Sequence, residues 1–237
     1  MKTAVVIGAT SGIGRELAQL LEKDNYNVVI TGRRSELLET LKSEAPEHYF
    51  VFEQDVTDLE RTEALFDYLR SNFETVDLIV YNSGIGSANY DLEWKIEFPI
   101  IKTNVIAALK VYGLAYNLFR EQGFGHLVGV SSVASIRGNR YAPGYFASKA
   151  FQASYLESLY MKGKRSKADI YVTDIEPGFV DTKMALGKTF WMSSVEKATK
   201  QIYSAIKGKK KKVYITKRWK LVATAMKFVP ASIINKL

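Results

Sequence analysis

Short β-rich runs alternate with longer helical patterns along this chain, and that alternation limits the possible fold more than any other feature. Seven runs are typical of strands: residues 4–7, 28–30, 49–52, 76–81, 126–130, 170–175 and, more weakly, 213–215. Segments with apolar residues at helical spacing lie between them, over residues 15–23, 36–41, 59–69, 103–120 and 145–161. Strands that alternate with helices predict a parallel sheet covered on both faces. We therefore expect a single α/β domain with a doubly wound, mostly parallel sheet.

The positive charge of the chain is confined to its carboxyl end. Residues 207–237 hold ten Lys/Arg and no Asp or Glu, whereas residues 1–206 hold 23 basic and 25 acidic residues, a net charge of −2. A fold that binds nucleic acid needs a basic stripe over its own surface, so we expect no nucleic-acid partner. With no cysteine and two histidines, the sequence excludes thiol catalysis and predicts no metal site.

No signal peptide is visible, and no segment offers ~18 uninterrupted apolar residues for a membrane span. These observations favour a cytoplasmic protein.

A glycine-rich turn of the form G-x-x-x-G-x-G joins the first strand to the first helix. Glycines let the backbone turn tightly and approach a pyrophosphate at the helix N-terminus, and two hydroxyls add donors. We predict that the turn binds a dinucleotide through Gly8, Thr10, Ser11, Gly12, Ile13 and Gly14. The alternative is a strand-to-helix turn that uses glycine for backbone freedom alone.

The end of the second strand, Thr31-Gly32-Arg33-Arg34, lacks the acidic residue that holds the ribose hydroxyls in sites that prefer NAD. A planar guanidinium suits a 2′-phosphate by charge and geometry, so Arg33 and Arg34 favour NADP(H), and Arg15 could assist. The alternative is an exposed basic turn.

Two residues after the third strand are candidates for the adenine site. The carboxylate of Asp55 can accept the adenine amino group, with Val56 against the ring. Asp55 could equally belong to the turn or cap the next helix, although Asp58 is the better N-cap candidate.

Tyr145 and Lys149 are four residues apart on a predicted helix and share one face. Ser132 lies just after the fifth strand. Tyrosine, with a pKa of ~10, is a poor base near neutral pH, and a neighbouring ammonium lowers that pKa. With a hydroxyl partner, the pair can donate a proton to a carbonyl oxygen or remove one from an alcohol, while a nicotinamide exchanges the hydride. Alone the pair is a weak signal, since a surface pair has the same spacing.

Combined, these motifs resemble the short-chain dehydrogenase/reductase family over about residues 3–215. The glycine-rich turn and the trio of Ser132, Tyr145 and Lys149 match its pattern. Further matches are Asn104 in the central helix, Asn82-Ser83-Gly84 after the fourth strand, and the loop 177–182 after the sixth. Ile7 and Ser83 depart from the family's usual threonine and alanine.

The resemblance implies an NADP(H)-dependent oxidoreductase that acts on CH–OH and C=O groups. It implies that Tyr145 is the general acid/base, that Ser132 binds the substrate oxygen, and that Lys149 holds the nicotinamide ribose and lowers the pKa of Tyr145. Asn104 would place a water that links Lys149 to solvent. The further cofactor-binding residues that it implies are Asn82, Ser83, Gly84, Pro177, Gly178, Val180 and Thr182.

The substrate side is less specific. Residues 183–192 are short and apolar, through Met184, Leu186, Phe190 and Trp191, and precede a predicted helix start at Ser193 with Glu196 in a capping box. This segment covers a hydrophobic substrate or packs on the body or a partner subunit. Further candidates for the pocket are Val133, Ala134, Ile136 and Tyr141. Because no substrate-binding charge is evident, we expect a small apolar carbonyl or alcohol substrate.

The resemblance predicts a Rossmann-like dinucleotide-binding and catalytic domain over residues 1–215. Residues 216–237 form a basic amphipathic extension, in which Trp219, Val222, Met226 and Val229 make an apolar stripe that Leu221, Ala225 and Phe228 widen. This stripe could lie on an anionic membrane surface, dock on the body, or pack in an oligomer. Many family members are oligomers, so we expect a homodimer or homotetramer.

Two other classes of function remain open. One is an epimerase or dehydratase on the same scaffold, and the other is a cofactor-sensing or membrane-associated protein without enzymatic activity. The complete trio argues against the second class.

Overall fold

The computed structural model describes residues 1–182 and 191–230. The apolar runs form seven strands: β1 (Lys2–Ile7), β2 (Tyr26–Gly32), β3 (Tyr49–Glu53), β4 (Leu78–Tyr81), β5 (Phe124–Val130), β6 (Asp169–Pro177) and β7 (Lys212–Ile215). They lie in one sheet in the order β3-β2-β1-β4-β5-β6-β7, and each neighbouring pair is parallel. The strand order reverses between β1 and β4, so the predicted doubly wound, Rossmann-like α/β fold is confirmed.

In the described part of the chain, eight helices connect and follow the strands: α1 (Gly12–Lys23), α2 (Ser35–Glu44), α3 (Leu59–Asn72), α4 (Trp94–Ile101), α5 (Ala108–Gln122), α6 (Pro143–Lys164), α7 (Val195–Lys207) and α8 (Lys217–Phe228). A π-helical segment, Lys102–Ala107, joins α4 to α5 without a break, and a 3-10 turn, Val133–Ile136, follows β5. The central helix therefore begins at Trp94, nine residues before the position predicted from the sequence.

Both faces of the sheet are covered because successive side chains of a strand point to opposite faces. Val5 and Ile7 of β1 face a core built with α3, α5 and α6. Ala4 and Val6 face a second core built with α1, α2 and α7. All four side chains are fully buried, which explains why the strands are continuous apolar runs and do not alternate with polar residues.

Helix starts follow capping chemistry, and one prediction is wrong by a residue. Asp58 caps α3 by accepting a hydrogen bond from Arg61 N at 2.9 Å, as expected. For α7 the N-cap is Ser194, whose Oγ accepts from Lys197 N, and the capping box predicted for Ser193 and Glu196 does not form. A serine pair offers two caps, and the buried side of α7 selects the second.

The merged helix Trp94–Gln122 is long and apolar enough to cross a membrane by length and composition, with a mean hydropathy of 1.2 in its most apolar window and 39% of that window buried. Helices in the core of an α/β domain meet the same criterion. Val111 and Tyr112 show this, because both are fully buried against the sheet.

Helix α8 docks on the body of the fold. Trp219 and Ala223 are buried, and the Arg137 side chain donates hydrogen bonds to the carbonyls of Met226 at 3.0 Å and Val229 at 2.8 Å. The predicted stripe of Trp219, Val222, Met226 and Val229 is thus the docking face. The three residues expected to widen that stripe, Leu221, Ala225 and Phe228, instead face outward.

Part of the positive charge of residues 207–237 is paired with the body. Lys207 contacts Asp24 at 2.7 Å, and Lys211 contacts Glu157 at 2.8 Å. These paired lysines precede the extension of residues 216–237, so part of the basic charge of residues 207–237 belongs to the body of the fold.

Candidate active site

The carboxyl ends of β1, β2, β4, β5 and β6 surround a cavity of about 860 Å³. This is the edge at which ligands bind in open parallel sheets, next to the point where strand order reverses. The predicted site residues that line it are Gly8, Thr10, Ser11, Gly12, Ile13, Arg33, Arg34, Asp55, Val56, Asn82, Ser83, Gly84, Ser132, Tyr145, Lys149, Pro177, Gly178, Val180 and Thr182. Two other predicted site residues, Gly14 and Asn104, do not line the cavity.

The glycine-rich turn depends on backbone freedom and on close approach. Gly8 and Gly12 have φ values of +93° and +56°, in the left-handed region that favours glycine. A Cβ at Gly14 would overlap the Gly8 carbonyl, which also accepts a hydrogen bond from Asn82 Nδ2 at 3.0 Å. The lack of a side chain at Gly14 therefore allows the first turn of α1 to pack against the Gly8 carbonyl, with the N-terminus of α1 facing the cavity.

The two arginines after β2 occupy different positions. Arg34 Nη2 donates to Thr10 Oγ1 at 2.5 Å and to Ser11 Oγ at 3.0 Å, so it is tied to the glycine-rich turn. Arg33 is mostly exposed, and its Nη1 lies 3.5 Å from Asp55 Oδ2. Both line the cavity beside the turn hydroxyls. Arg15, predicted to assist, pairs with Glu44 at 2.7 Å and does not line the cavity.

Asp55 serves the turn and also lines the cavity. Its Oδ1 accepts hydrogen bonds from Thr57 N and Thr57 Oγ1, each at 2.9 Å. Burial raises the pKa of this carboxyl, but the bonds from Thr57 and the charge of Arg33 outweigh burial and hold the pKa below its usual value. Asp55 is therefore an anionic acceptor at neutral pH.

Tyr145, Lys149 and Ser132 meet at the inner end of the cavity. Lys149 Nζ lies 6.0 Å from the centre of the Tyr145 ring. Burial raises the pKa of Tyr145, and a hydrogen bond with Ser132 opposes that rise only in part. The net direction is the reverse of the lowering that the sequence predicts from Lys149. Desolvation of the phenol outweighs an ammonium at this distance, so Tyr145 is a neutral, proton-bearing group.

Lys149 is buried, and its two hydrogen-bond partners are neutral. Its Nζ donates to the Val130 carbonyl at 3.0 Å and to Gln152 Oε1 at 2.9 Å. Gln152 Nε2 in turn donates to the Asn104 carbonyl at 2.9 Å. Sequence reasoning missed Gln152, although it lies one helical turn after Lys149 on the same face of α6.

Asn104 lies in the π-helical segment and is fully buried. Its side chain accepts from Ile85 N at 3.0 Å and donates to the Ile85 carbonyl at 2.8 Å. Asn104 thereby fixes the chain after β4, including Gly84. A Cβ at Gly84 would lie 3.3 Å from Lys149 Nζ.

The loop after β6 contacts both the end of β7 and helix α8. Gly178 N donates to the Ile215 carbonyl at 2.6 Å, and a side chain at Gly178 would collide with the Trp219 indole. Phe179 packs edge-on against Trp219 with ring centres 5.4 Å apart. Trp191 also contacts Trp219, at 6.3 Å. Met184, Leu186 and Phe190 lie outside the described residues.

The substrate half of the cavity differs from the sequence prediction. Its wall does not include the four predicted side chains, Val133, Ala134, Ile136 and Tyr141. The wall is instead built by residues after β4, in the central helix, just before α6 and just after β6: Ile85, Gly86, Ser87, Ala88, Phe98, Pro99, Lys102, Thr103, Ala142 and Phe179. Lys102 places a cation in this wall, where the sequence predicted no charge.

Among residues 1–182 and 191–230, no group of three or more His, Cys, Asp or Glu side chains is arranged to hold a metal ion.

The chain is similar to several known proteins. A family model for short chain dehydrogenases matches residues 2–192. An uncharacterized oxidoreductase of Myxococcus xanthus is 35% identical over 196 residues, across 81% of this chain and 77% of that protein. Serine 3-dehydrogenase of Agrobacterium fabrum is 30% identical over 198 residues, across 79% and 75% of the two chains.

Among solved structures, the alcohol dehydrogenase of the archaeon Thermococcus sibiricus, complexed with 5-hydroxy-NADP, superposes with a TM-score of 0.80. The match covers 91% of this chain and 96% of that one at 22% sequence identity, and it concerns the fold.

Proposed function

The chain belongs to the short-chain dehydrogenase family, and from that premise we propose that it is an NADP(H)-dependent reductase of an apolar carbonyl compound, with the alcohol oxidised in reverse. The observation that carries the proposal is the half-buried Tyr145 in the wall of the cavity, beside Ser132 and Lys149, with a phenol that keeps its proton because desolvation raises its pKa. A neutral phenol in this position is suited to donate a proton to a carbonyl oxygen.

The described residues fit a dinucleotide phosphate. A Cβ added at Gly8 would come within 2.7 Å of Ser83 Oγ, so the turn stays narrow there, and the N-terminus of α1 favours a pyrophosphate. Arg34 contacts the hydroxyls of Thr10 and Ser11, and Arg33 lines the same cavity, so the two guanidinium groups favour a 2′-phosphate. When bound, the nicotinamide supplies or accepts the hydride.

The protein groups have distinct roles in this proposal. Tyr145 gives its proton to the developing alkoxide, and Ser132 Oγ holds the same oxygen. Lys149 binds the nicotinamide ribose and stabilises the phenolate that remains. Gln152 connects Lys149 to the Asn104 carbonyl through two direct hydrogen bonds. Orienting these groups before reaction contributes much of the rate.

Tyr145→Phe is the direct test. We expect this variant to keep NADPH binding, measured by quenching of protein fluorescence, and to lose NADPH oxidation at 340 nm against a panel of steroid-like, acyl, sugar and small aldehyde carbonyls. Turnover at the wild-type level by the variant would remove the proposed acid. Product formation without net NADPH consumption would favour the epimerase or dehydratase alternative.

Lys102 supports a second candidate substrate class. Its ammonium lines the substrate half of the cavity, and one relative is a dehydrogenase whose name specifies serine. A hydroxy acid or amino acid would place its carboxylate near Lys102. Serine and 3-hydroxy acids, assayed with NADP⁺, test this class. Lys102→Met should lower kcat/KM for these carboxylate substrates and leave kcat/KM for the apolar substrates unchanged.

Assembly and location stay predictions of the sequence. We expect a homodimer or homotetramer in the cytoplasm, with peripheral membrane contact through the outward face of α8 as an alternative. Sedimentation without vesicles tests the assembly, and co-sedimentation with anionic vesicles tests the membrane contact.

A further inference from the structure

Three charged side chains meet on the neighbouring strands β6 and β7. Asp174 and Glu176 are two residues apart on one face of β6, and both are almost completely buried. Lys212 is the β7 residue in register with Asp174. Its Nζ lies 3.2 Å from Asp174 Oδ2 and 2.8 Å from Glu176 Oε1. We call these three side chains the β6–β7 ion cluster.

The two carboxyl groups of the β6–β7 ion cluster accept hydrogen bonds from serines on either side of Ser132. Ser131 Oγ donates to Asp174 Oδ1 at 2.5 Å, and Ser135 Oγ donates to Glu176 Oε1 at 2.9 Å. The first serine directly precedes Ser132, and the second lies in the 3-10 turn that Ser132 caps. The cluster therefore anchors the chain before and after Ser132, and we call residues 131–135 the serine turn.

Lys212 fixes one of the acceptor atoms in this arrangement. Glu176 Oε1 accepts hydrogen bonds from both Ser135 Oγ and Lys212 Nζ, so the ammonium group holds the oxygen to which the serine turn is bonded. Its positive charge also compensates the burial of neighbouring carboxyl groups, which is costly without a cation. Without Lys212, β7 would no longer set the orientation of the Glu176 carboxyl group.

The hydroxyl of Ser132 depends on this support because its own contacts fix it weakly. Ser132 Oγ accepts a hydrogen bond from Ala134 N at 3.1 Å, inside the serine turn itself. It donates to the Pro177 carbonyl at 3.4 Å, which is a long hydrogen bond. That second bond must break when the hydroxyl donates to a substrate oxygen. The position of Ser132 Oγ is then set by the anchors of the serine turn.

We propose that Lys212 and Glu176 are positioning residues that hold Ser132 Oγ where it meets the substrate oxygen. Lys212 lies beyond the family match, which ends at residue 192. The inference rests on the proposed function, because it takes Ser132 as the group that binds the substrate oxygen. Small displacements of such a group are costly, since about 1 Å lowers the rate about 100-fold.

The arrangement does not require Asp174 to be ionised. Burial and the neighbouring Glu176 raise the pKa of Asp174 above its usual value, whereas Lys212 and the Ser131 hydroxyl oppose the rise. A carboxyl group keeps an oxygen that can accept from Ser131 in either protonation state. The contacts that Glu176 makes with Ser135 and Lys212 therefore carry the proposal.

The first test compares three lysine variants of the full-length protein by NADPH oxidation at 340 nm. We expect Lys212→Met to lower kcat about tenfold and to leave the KM for NADPH within about twofold, because the serine turn moves and the cofactor cradle does not. Lys212→Arg, which keeps a cation, should regain most of the kcat. The matched control is Lys211→Met, which removes the adjacent lysine and its exposed ion pair with Glu157 and should leave kcat unchanged.

A double-mutant cycle with Ser132→Ala shows whether Lys212 acts through Ser132. In the Ser132→Ala background, Lys212→Met should lower the remaining kcat by less than about twofold, because residues that act as a unit are not additive. A general structural role would lower kcat by the same factor in both backgrounds. Equal factors, or a kcat of Lys212→Met at the wild-type level, would overturn the proposal.

A second variant covers the case in which Lys212→Met does not fold, as judged by circular dichroism. Ser135→Ala keeps all three charges of the β6–β7 ion cluster and removes only the hydroxyl that is bonded to Glu176. Its kcat should fall in the wild-type background and change little in the Ser132→Ala background. A kcat of Ser135→Ala at the wild-type level would overturn the proposal in that case.

Hydrogen exchange separates this inference from the proposed function. The backbone amides of Ala134 and Ser135 donate to the Oγ and the carbonyl of Ser132, so their protection reports the serine turn. Both should exchange about tenfold faster in Lys212→Met than in Lys211→Met, while the amides of β1 keep their protection. A wild-type protein that oxidises no NADPH would sink the proposed function. Unchanged exchange at both amides would instead show that Lys212 does not hold the serine turn.

Discussion

Gly86 lies against the ring of Tyr145, so closely that a Cβ added to this glycine would come within 2.6 Å of Tyr145 Cδ2. The contact joins the chain after β4 to the proposed proton donor on α6. Sequence reasoning missed Gly86, because nothing near it in the chain indicates that a helix from the second half of the protein packs there.

Gly86→Ala should therefore displace the Tyr145 ring. We expect kcat to fall by about 100-fold, since a misplacement near 1 Å has that effect on a catalytic group. NADPH affinity should stay within about twofold, because the cofactor cradle lies elsewhere. The matched control is Gly113→Ala in α5, where an added Cβ meets no atom within 4 Å. Equal kcat values for the two variants would contradict the positioning role of Gly86.

Arg33 and Arg34 should differ in what they do for cofactor choice. Arg33→Ala removes an exposed guanidinium, and we expect the KM for NADPH to rise about tenfold more than the KM for NADH, as loss of one charge-assisted hydrogen bond implies. Arg34→Ala also frees the hydroxyls of Thr10 and Ser11, so the KM for both cofactors should rise. Equal effects of Arg33→Ala on the two cofactors would exclude a 2′-phosphate contact.

His126 makes the fold sensitive to acid. Its Nε2 donates to Thr173 Oγ1 at 2.7 Å, because the Thr173 hydroxyl proton is used by the Lys210 carbonyl. Burial lowers the pKa of His126 from 6.5 to about 4. Between these values the unfolded chain binds a proton that the folded protein does not, so stability falls as pH decreases from 6.5 to about 4.

The free energy of unfolding should fall by about 3 kcal/mol over this pH range, because a pKa shift on folding is linked to stability. Denaturant unfolding at a series of pH values measures it. His126→Gln should show a shallower decline across this range than the wild type. Parallel curves for the wild type and His126→Gln would refute the prediction.

Trp219 should carry most of the docking energy of α8. It is 5% exposed, so Trp219→Ala should destabilise the protein by about 3 kcal/mol and lower the melting temperature. Phe228→Ser removes an aromatic side chain of the same helix that is 81% exposed, and should change stability by less than about 0.5 kcal/mol. Similar melting temperatures for Trp219→Ala and the wild type would show that α8 contributes little to the fold.

Periodicity and local motifs were enough to predict the sheet, the order of helices and strands, and which loops meet at the carboxyl edge. They work because a buried strand must be apolar on both sides and because parallel strands end together. Gln152 could not be found this way. Its role depends on a contact with the Asn104 carbonyl, which belongs to another element and which only packing brings within reach.

The two faces of α8 show the same limit of prediction from sequence periodicity. Periodicity placed Trp219 and Leu221 on one broad apolar surface, yet the first is buried and the second is 76% exposed. A helix of this length can bury only part of an apolar arc that wide. Which part is buried depends on the partner, here the loop after β6 and the side chain of Arg137.

The hydrogen bonds from Arg137 to the last carbonyls of α8 have a practical consequence for handling the protein. Arg137 follows the turn that starts at Ser132, so α8 and the proposed catalytic serine are joined by a short stretch of chain. An affinity tag or fluorescent fusion placed directly after α8 would lie beside these hydrogen bonds. Met1 is 76% exposed, and the amino end is the better place for a tag when kinetic constants are to be compared between variants.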